Sequence, residues 1–398
     1  MTTLDHYAEV NPVAGAIDRA SQEPVAFVPM AAVSEEGKLG DHETRPLAEV
    51  AKGYTNFARG DVLMAKITPC MENGKAALVS NLSTKLGFGS TEFHVLRARP
   101  GVDARFLFYL VWNQRFREEA SKHMTGSAGQ KRVPASYLKQ ATVPLIEPKE
   151  QRRIADILDK ADAIRRKRKE AIALADELLR SAFLEMFGDP VTNPKGWPVK
   201  PLGELLDTID SGWSPVCEAR PAKEDEWGVL KLGAVTFGRY DAGESKALAA
   251  DLSPVPELEV RAGDVLFSRK NTYDHVAACV FVANTRPKLM LPDLIFRLVL
   301  SKASGLRSET LWALLSNERM RKMVQGLAGG TAGSMPNISK ERLKTVNLPV
   351  PPIALQERFA GAMRGNEATR TALEAAAAES EVLFNSLVAR AFSGALSS

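Results

Sequence analysis

Apolar residues recur along this chain in two regimes, and the change from one to the other happens twice. Short runs such as Asp61-Val62-Leu63-Met64-Ala65 and Ala277-Ala278-Cys279-Val280-Phe281-Val282 are bounded by Gly, Pro and Asn and read as strands. Later in each half the spacing lengthens to three and four. Ile154, Ile157, Ala161, Ile164, Arg168, Ala171, Ala175, Leu178 and Ala182 follow it, with Arg168 the one polar exception. Leu355, Phe359, Ala362, Leu373, Ala376, Leu383 and Leu387 repeat it more weakly, diluted by Asn366 and Ser380. That spacing predicts a helix whose apolar seam seeks a partner helix. Fully helical, residues 149–187 extend about 58 Å at 1.5 Å per residue, more than a small domain needs for its own core. Shorter helices are predicted over 104–122 and 308–325, each followed by a Gly-rich loop (126–132 and 329–335) and a Pro-punctuated strand.

The two halves also share residues in order. Gly60-Asp61-Val62-Leu63 returns as Gly263-Asp264-Val265-Leu266, an offset of 203 from Asp61 to Asp264. Pro144, Gln151, Arg153, Ser181 and Phe187 return as Pro349, Gln356, Arg358, Ser386 and Phe392, an offset of 205. An ordered series at a nearly constant offset is the mark of duplication. The pattern predicts an α+β chain: two globular modules in pseudo-two-fold tandem repeat, with two long antiparallel coiled-coil helices. The expected blocks are 1–148, 149–188, 189–352 and 353–398. The competing arrangement packs each helix on its own module alone.

Composition narrows the class without naming the partner. The 398 residues suit two domains, and 45% hydrophobic with 25% charged residues is ordinary for a folded globular protein. No apolar run is long enough for a membrane span, and the N-terminus lacks the pattern of a secretory signal, so a cytoplasmic chain is expected. Cys70, Cys217 and Cys279 are odd in number and widely spaced, which argues against a disulfide framework or a zinc site. A net charge of +4 is too small to announce nucleic acid. The run Arg165-Arg166-Lys167-Arg168-Lys169 reads either as a solvated helix face or as a stripe facing phosphates or an acidic partner.

Catalytic signatures are missing. Asn11-Pro12-Val13-Ala14 and Asn193-Pro194-Lys195-Gly196 do not make the motif of an adenine methyltransferase, and Pro292-Asp293 has no following Glu-x-Lys of a nuclease. Glu36-Gly37-Lys38 stands isolated, and the Gly-rich loop at 329–334 lacks the Lys of a phosphate-binding loop. His6, His42, His94, His123 and His275 show no metal-ligand spacing. No catalytic or metal residue is expected.

Over essentially its full length the chain resembles the specificity subunits of Type I restriction-modification systems. The resemblance rests on Gly-Asp-Val-Leu in each half, on the stretches 143–154 and 178–190, and on 337–339 with 348–352 and Gln356-Glu357-Arg358. It implies that each module is a target recognition domain reading half of a bipartite double-stranded DNA site, with the helices as an antiparallel spacer. Two modification subunits carrying S-adenosylmethionine and two motor-nuclease subunits using ATP and Mg would dock on it, while this chain holds no cofactor itself. Half-sites one helical turn apart lie roughly 34 Å from one another, a span such helices can bridge. Base edges are read by side chains such as Arg, Lys, Asn and Gln. The candidates are Lys66, Asn73, Lys75, Gln130, Lys131 and Arg132 in the first module and Arg269, Lys270, Asn271, Thr331, Ser334 and Asn337 in the second. The readings set against this one are a coiled-coil interaction scaffold and a self-sufficient DNA methyltransferase or nuclease.

Overall fold

A computed structural model describes the chain apart from residues 14, 16, 17, 19, 128, 330–334, 394 and 396–398. The chain forms two compact units, Met1–Glu170 with Leu373–Ser398, and Ala171–Ala372. Both long helices, Pro148–Phe187 and Ile353–Phe392, pass through this division. Each unit thus contains a sheet-based module and a segment of both helices, whereas the four sequence blocks follow chain order.

In the first unit, strands Ala8–Val10, Phe93–Ala98, Val62–Ala65 and Ala76–Leu78 make one antiparallel sheet. A second sheet, ordered Glu43–Pro46, Pro24–Val28, Leu86–Gly89 and Thr55–Ala58, contains one parallel pair. The motif Gly60-Asp61-Val62-Leu63 has a structural meaning. Gly60 turns the chain at φ +92°, which a residue with a Cβ rarely adopts. The Asp61 carboxylate then accepts the Ala58 amide at 2.8 Å, and Arg97 grips it with two bonds of 2.8 and 2.7 Å. Val62 and Met64 point into one core and Leu63 into another, so the strand is covered on both faces and reads as an unbroken apolar run.

The second unit repeats this plan. Strands Leu206–Ser211, Ile295–Leu300, Val265–Ser268 and Cys279–Phe281 form the antiparallel sheet, and Ser245–Ala247, Gly228–Leu230 and Leu289–Met290 form the second, again with one parallel pair. Gly263 turns at φ +96°, the Asp264 carboxylate accepts the Arg261 amide at 2.9 Å, and Val265 and Leu266 enter different cores. Asn113 and Asn317 each cap a helix, over Gln114–Lys122 and Glu318–Gln325, through side-chain oxygens that accept backbone amides.

Both long helices complete both cores. In the first unit Ile154, Ala155 and Leu158 of the first helix and Phe384 and Ala391 of the second bury against Phe106–Trp112. In the second unit Phe183 and Phe187 meet Phe359, with ring centroids 5.8 and 5.3 Å apart. The helix entries are fixed by the repeated glutamine. Gln151 accepts the Asp103 amide at 3.2 Å and donates to Ile146 O at 2.8 Å. Gln356 accepts the Arg307 amide at 2.8 Å and donates to Gly305 O and Pro351 O at 2.8 and 2.7 Å.

Within each unit the two helix segments run antiparallel and exchange a charge. Arg165, its side chain only 6% exposed, binds Asp162 at 2.7 Å on its own helix and Glu381 at 3.1 Å on the other. Its counterpart at the repeat offset, Arg370, pairs with Asp176 in the second unit.

The expected apolar seam needs correction here. Ile154 and Phe359 are buried, Ala161, Leu355 and Leu387 pack partly buried on the cores, and Ile157 and Leu373 are half-buried. Ile164, Leu178 and Leu383 are exposed by 51%, 67% and 56%. The buried face runs instead through Leu158, Asp162, Arg165, Ala175 and Phe183, because its middle turns are occupied by paired charges that an apolar count skips. The basic run is largely consumed within the molecule: Arg168 bonds Ala376 O and Ser380, Arg166 bonds Asp162, and Lys169 meets Glu36 at 2.7 Å.

Candidate nucleic-acid interface

At one end of the antiparallel sheet in the first unit, three segments are laced by backbone bonds. Lys66 N donates to Glu92 O, Val133 N to Lys66 O and Thr68 N to Lys131 O, each at 2.9 Å. Bridges join Ile67 and Thr125 to Arg132. The second unit is laced in the same way: Arg269 N donates to Leu294 O at 3.1 Å, Ile338 N to Arg269 O at 2.8 Å, and bridges join Lys270 and Gly329 to Asn337. Val133 and Ile338 anchor the returning loop by burial. The chain returns each time to the residue that follows the Gly-Asp-Val-Leu strand.

The first set of candidates is therefore gathered in one place, with different degrees of freedom. Gln130 and Lys131 are exposed, while Lys66 and Lys75 are half-buried. Asn73 is exposed, but its amide donates to Glu35 at 3.0 Å. Arg132 is occupied: Nε and Nη2 fork onto the Glu92 carboxylate at 2.9 and 2.8 Å, and Nη1 donates to Gln130 O at 2.9 Å. That fork holds the Glu92 carboxyl below its ordinary pKa, against a smaller opposing effect of burial. Arg132 thus shapes the loop that presents Gln130 and Lys131. Gly126 allows the turn, since a Cβ there would lie 2.8 Å from Gln130 O.

In the second unit Arg269 lies over the Phe296 ring at 5.3 Å, and its Nε is buried without a hydrogen-bond partner. Lys270 and Asn337 are half-buried, and among the described residues Asn337 Oδ1 likewise has no hydrogen-bond partner. Asn271 is a correction. It is only 6% exposed; its amide lies 3.2 Å from the Thr236 hydroxyl and 3.4 Å from that of Ser268, and its Oδ1 accepts the Thr272 amide at 2.8 Å. It organises the loop from within and is not placed to touch a base. Thr331 and Ser334 lie outside the described residues.

Sequence reasoning missed the carboxylates Glu35 and Glu92, because a search for base-reading side chains passes over acids that hold those side chains. The structure gathers most of these candidates at the laced end of each sheet, where shared framework gives way to unlike sequence. Among the described residues no group of three or more His, Cys, Asp or Glu side chains is placed to hold a metal ion, and the three cysteines are free. Among the same residues no helix is long and apolar enough to cross a membrane.

Two sheet-based heads, each ending in a laced loop cluster of basic and amide side chains and each seated on an antiparallel helix pair, define a duplicated recognition protein. Residues 19–174 match the family model of the Type I restriction modification DNA specificity domain. The Type I restriction enzyme EcoEI specificity subunit of Escherichia coli is 28% identical, over 89% of this chain and 75% of the relative. The EcoAI specificity subunit of Escherichia coli is 42% identical, over 38% of this chain and 26% of the relative. Two solved structures share the fold at a TM-score of 0.57. One comes from work on complex assembly and conformational transition of the type I R-M system, at 20% identity over 98% of this chain and 96% of that one. The other is the S subunit of a Type I restriction-modification system from M. genitalium, at 13% identity over 98% and 95%. The chain is thus similar to Type I restriction-modification specificity subunits, by a domain match over residues 19–174 and by a relative aligned over 89% of its length.

Proposed function

We propose that this chain is the DNA-addressing subunit of a Type I restriction-modification complex, with each module reading one half of an asymmetric bipartite site. The observation that carries this is the pair of loop clusters built on one backbone pattern but armed differently, Gln130 and Lys131 in one and Arg269, Lys270 and Asn337 in the other. Shared lacing with unlike side chains is what two different half-sites require. Lysines and arginines there serve phosphates as well as bases, and phosphate contacts fix register without reading sequence.

The chain itself performs no chemistry in this reading. Two modification subunits dock along the helices and bring S-adenosylmethionine and adenine methylation, and two motor-nuclease subunits bring ATP, Mg and cleavage. In this reading the helices set the distance between half-sites, a role supported by the residues each buries in both cores, Ile154, Phe183 and Phe187 on the first and Phe359 and Phe384 on the second. Co-expression with the cognate modification subunit, followed by mapping of methylated adenines, should give one asymmetric two-part motif. Methylation independent of this chain, or a single continuous motif, would defeat the reading. Removing one heptad from the first helix should alter the spacer or abolish assembly.

A further inference from the structure

Isolated exposed apolar residues are ordinary on protein surfaces, but two large ones on adjoining loops beside a binding face are not. Phe237 and Tyr273, exposed by 78% and 68%, are the two most exposed aromatic side chains among the described residues. Both belong to the second loop cluster. Phe237 directly follows Thr236, whose hydroxyl receives the Asn271 amide, and its ring packs edge-on against His275 at 5.6 Å. Tyr273 lies two residues before His275, on the loop that begins with Arg269 and Lys270. That loop is held from behind, where Arg321 Nη2 donates to Asp274 O at 2.7 Å and Gln325 Nε2 to Val276 O at 3.1 Å. The aromatic groups are presented on a braced support, and the loop that carries Tyr273 begins with Arg269 and Lys270.

We infer that Phe237, flanked by Tyr273, is a specificity-determining contact of the second head and packs on the 5-methyl group of a thymine in the major groove. An apolar ring has no hydrogen bond to offer a base edge, and the thymine methyl is the one apolar group that the major groove displays. The matching loop of the first unit, 66–75, carries no aromatic residue and is tied through Asn73 to Glu35. The second half-site should therefore be read partly by shape and methyl contact, and the first by hydrogen bonds.

This inference rests on the DNA-addressing role proposed above, and the test separates the two. The wild-type complex with its modification subunit is first used to map the methylated motif, and its failure to bind a synthetic duplex of that motif would defeat the parent reading. Deoxyuridine then replaces each thymine of the duplex in turn, deleting only the methyl group. The wild-type complex should bind one substitution in the second half-site roughly fourfold more weakly, the worth of one buried methyl. The Phe237→Ala complex should bind both duplexes equally and should leave the first half-site's preferences unchanged. A deoxyuridine scan without effect in the second half-site would overturn the inference, and so would a Phe237→Ala chain that fails to assemble with its modification subunit while free chain and fold are intact, which would assign the ring to a protein contact.

Discussion

The two modules agree where the chain must be held and disagree where it must read. Gln151 and Gln356 do the same work at the helix entries, Gly60 and Gly263 make the same turn, and the return to Val133 or Ile338 closes the same lacing. At the tips the first module sets Glu92 against the Arg132 cation and Glu35 against the Asn73 amide, whereas in the second Arg269 Nε and Asn337 Oδ1 have no hydrogen-bond partner among the described residues, as Glu72 Oε2 has none in the first. Duplicated architecture with separately edited tips lets one half of an address change without disturbing the other.

The sharpest test of this equivalence lies in the helix pair. Arg165 and Arg370 occupy matching positions, yet Arg165, its side chain 6% exposed, meets both Asp162 and Glu381 with its guanidinium 4.8 Å from the Phe384 ring centroid, while Arg370, 14% exposed, meets Asp176, a carboxylate 33% exposed. Removing Arg165 leaves Asp162 with Arg166 and Glu381 without its Arg165 contact, a loss at the low end for a buried network, about 3 kcal/mol. Arg165→Ala should lose that much, and Arg370→Ala about 1 kcal/mol. Hydrogen exchange of the helix amides in each unit reads the two effects separately. Equal losses would show that burial, as distinct from pairing, does not distinguish the two sites.

The glutamines come next. Gln356 satisfies three backbone groups and Gln151 two, so Gln356→Ala should cost about 3 kcal/mol and Gln151→Ala about 2 kcal/mol, at roughly 1 kcal/mol for each buried group left without a partner. Urea unfolding followed by circular dichroism measures both. A cost confined to one of them would mean that the shared residue is a relic in the other module.

Much of this framework was legible because it repeats. The offset placed Gln151 with Gln356 and Asp61 with Asp264 before any geometry was known, and the Gly-rich stretches lie beside the laced ends of the two sheets. The helix face was misread at Ile164, Leu178 and Leu383, since counting apolar spacings cannot anticipate that the buried stripe carries Asp162 and Arg165. Asn271 was misjudged for a related reason: an Asn in a loop reads as a free amide, and only packing shows Thr236 and Ser268 beside it. Phe237 carried no sequence signal at all, because its neighbourhood to the reading loop comes from the tertiary placement of residues 233–237.

The smallest effect separates the tips by pH. Glu92 and Leu294 occupy matching places, each offering its carbonyl to the residue after the Gly-Asp-Val-Leu strand, but only Glu92 titrates. Its folded pKa is lowered by the Arg132 hydrogen bond from an ordinary value of 4.5. A carboxyl lowered in this way contributes stability that is present above the ordinary value and lost as the pH falls through the folded one. The first loop should therefore loosen on the acid side of roughly pH 4.5, and the second should not. Because Arg132 is 40% exposed and Glu92 26%, solvent screening keeps the effect small, up to about fivefold in exchange protection. Protection of the Val133 amide, corrected for intrinsic exchange and compared with that of Ile338, should fall between pH 6 and pH 3.5. The fall should vanish in Glu92→Gln and shrink in high salt. Parallel behaviour of the two amides would mean that the carboxylate does not hold the first tip, and the contrast between an acid-braced and an unbraced reading loop would disappear.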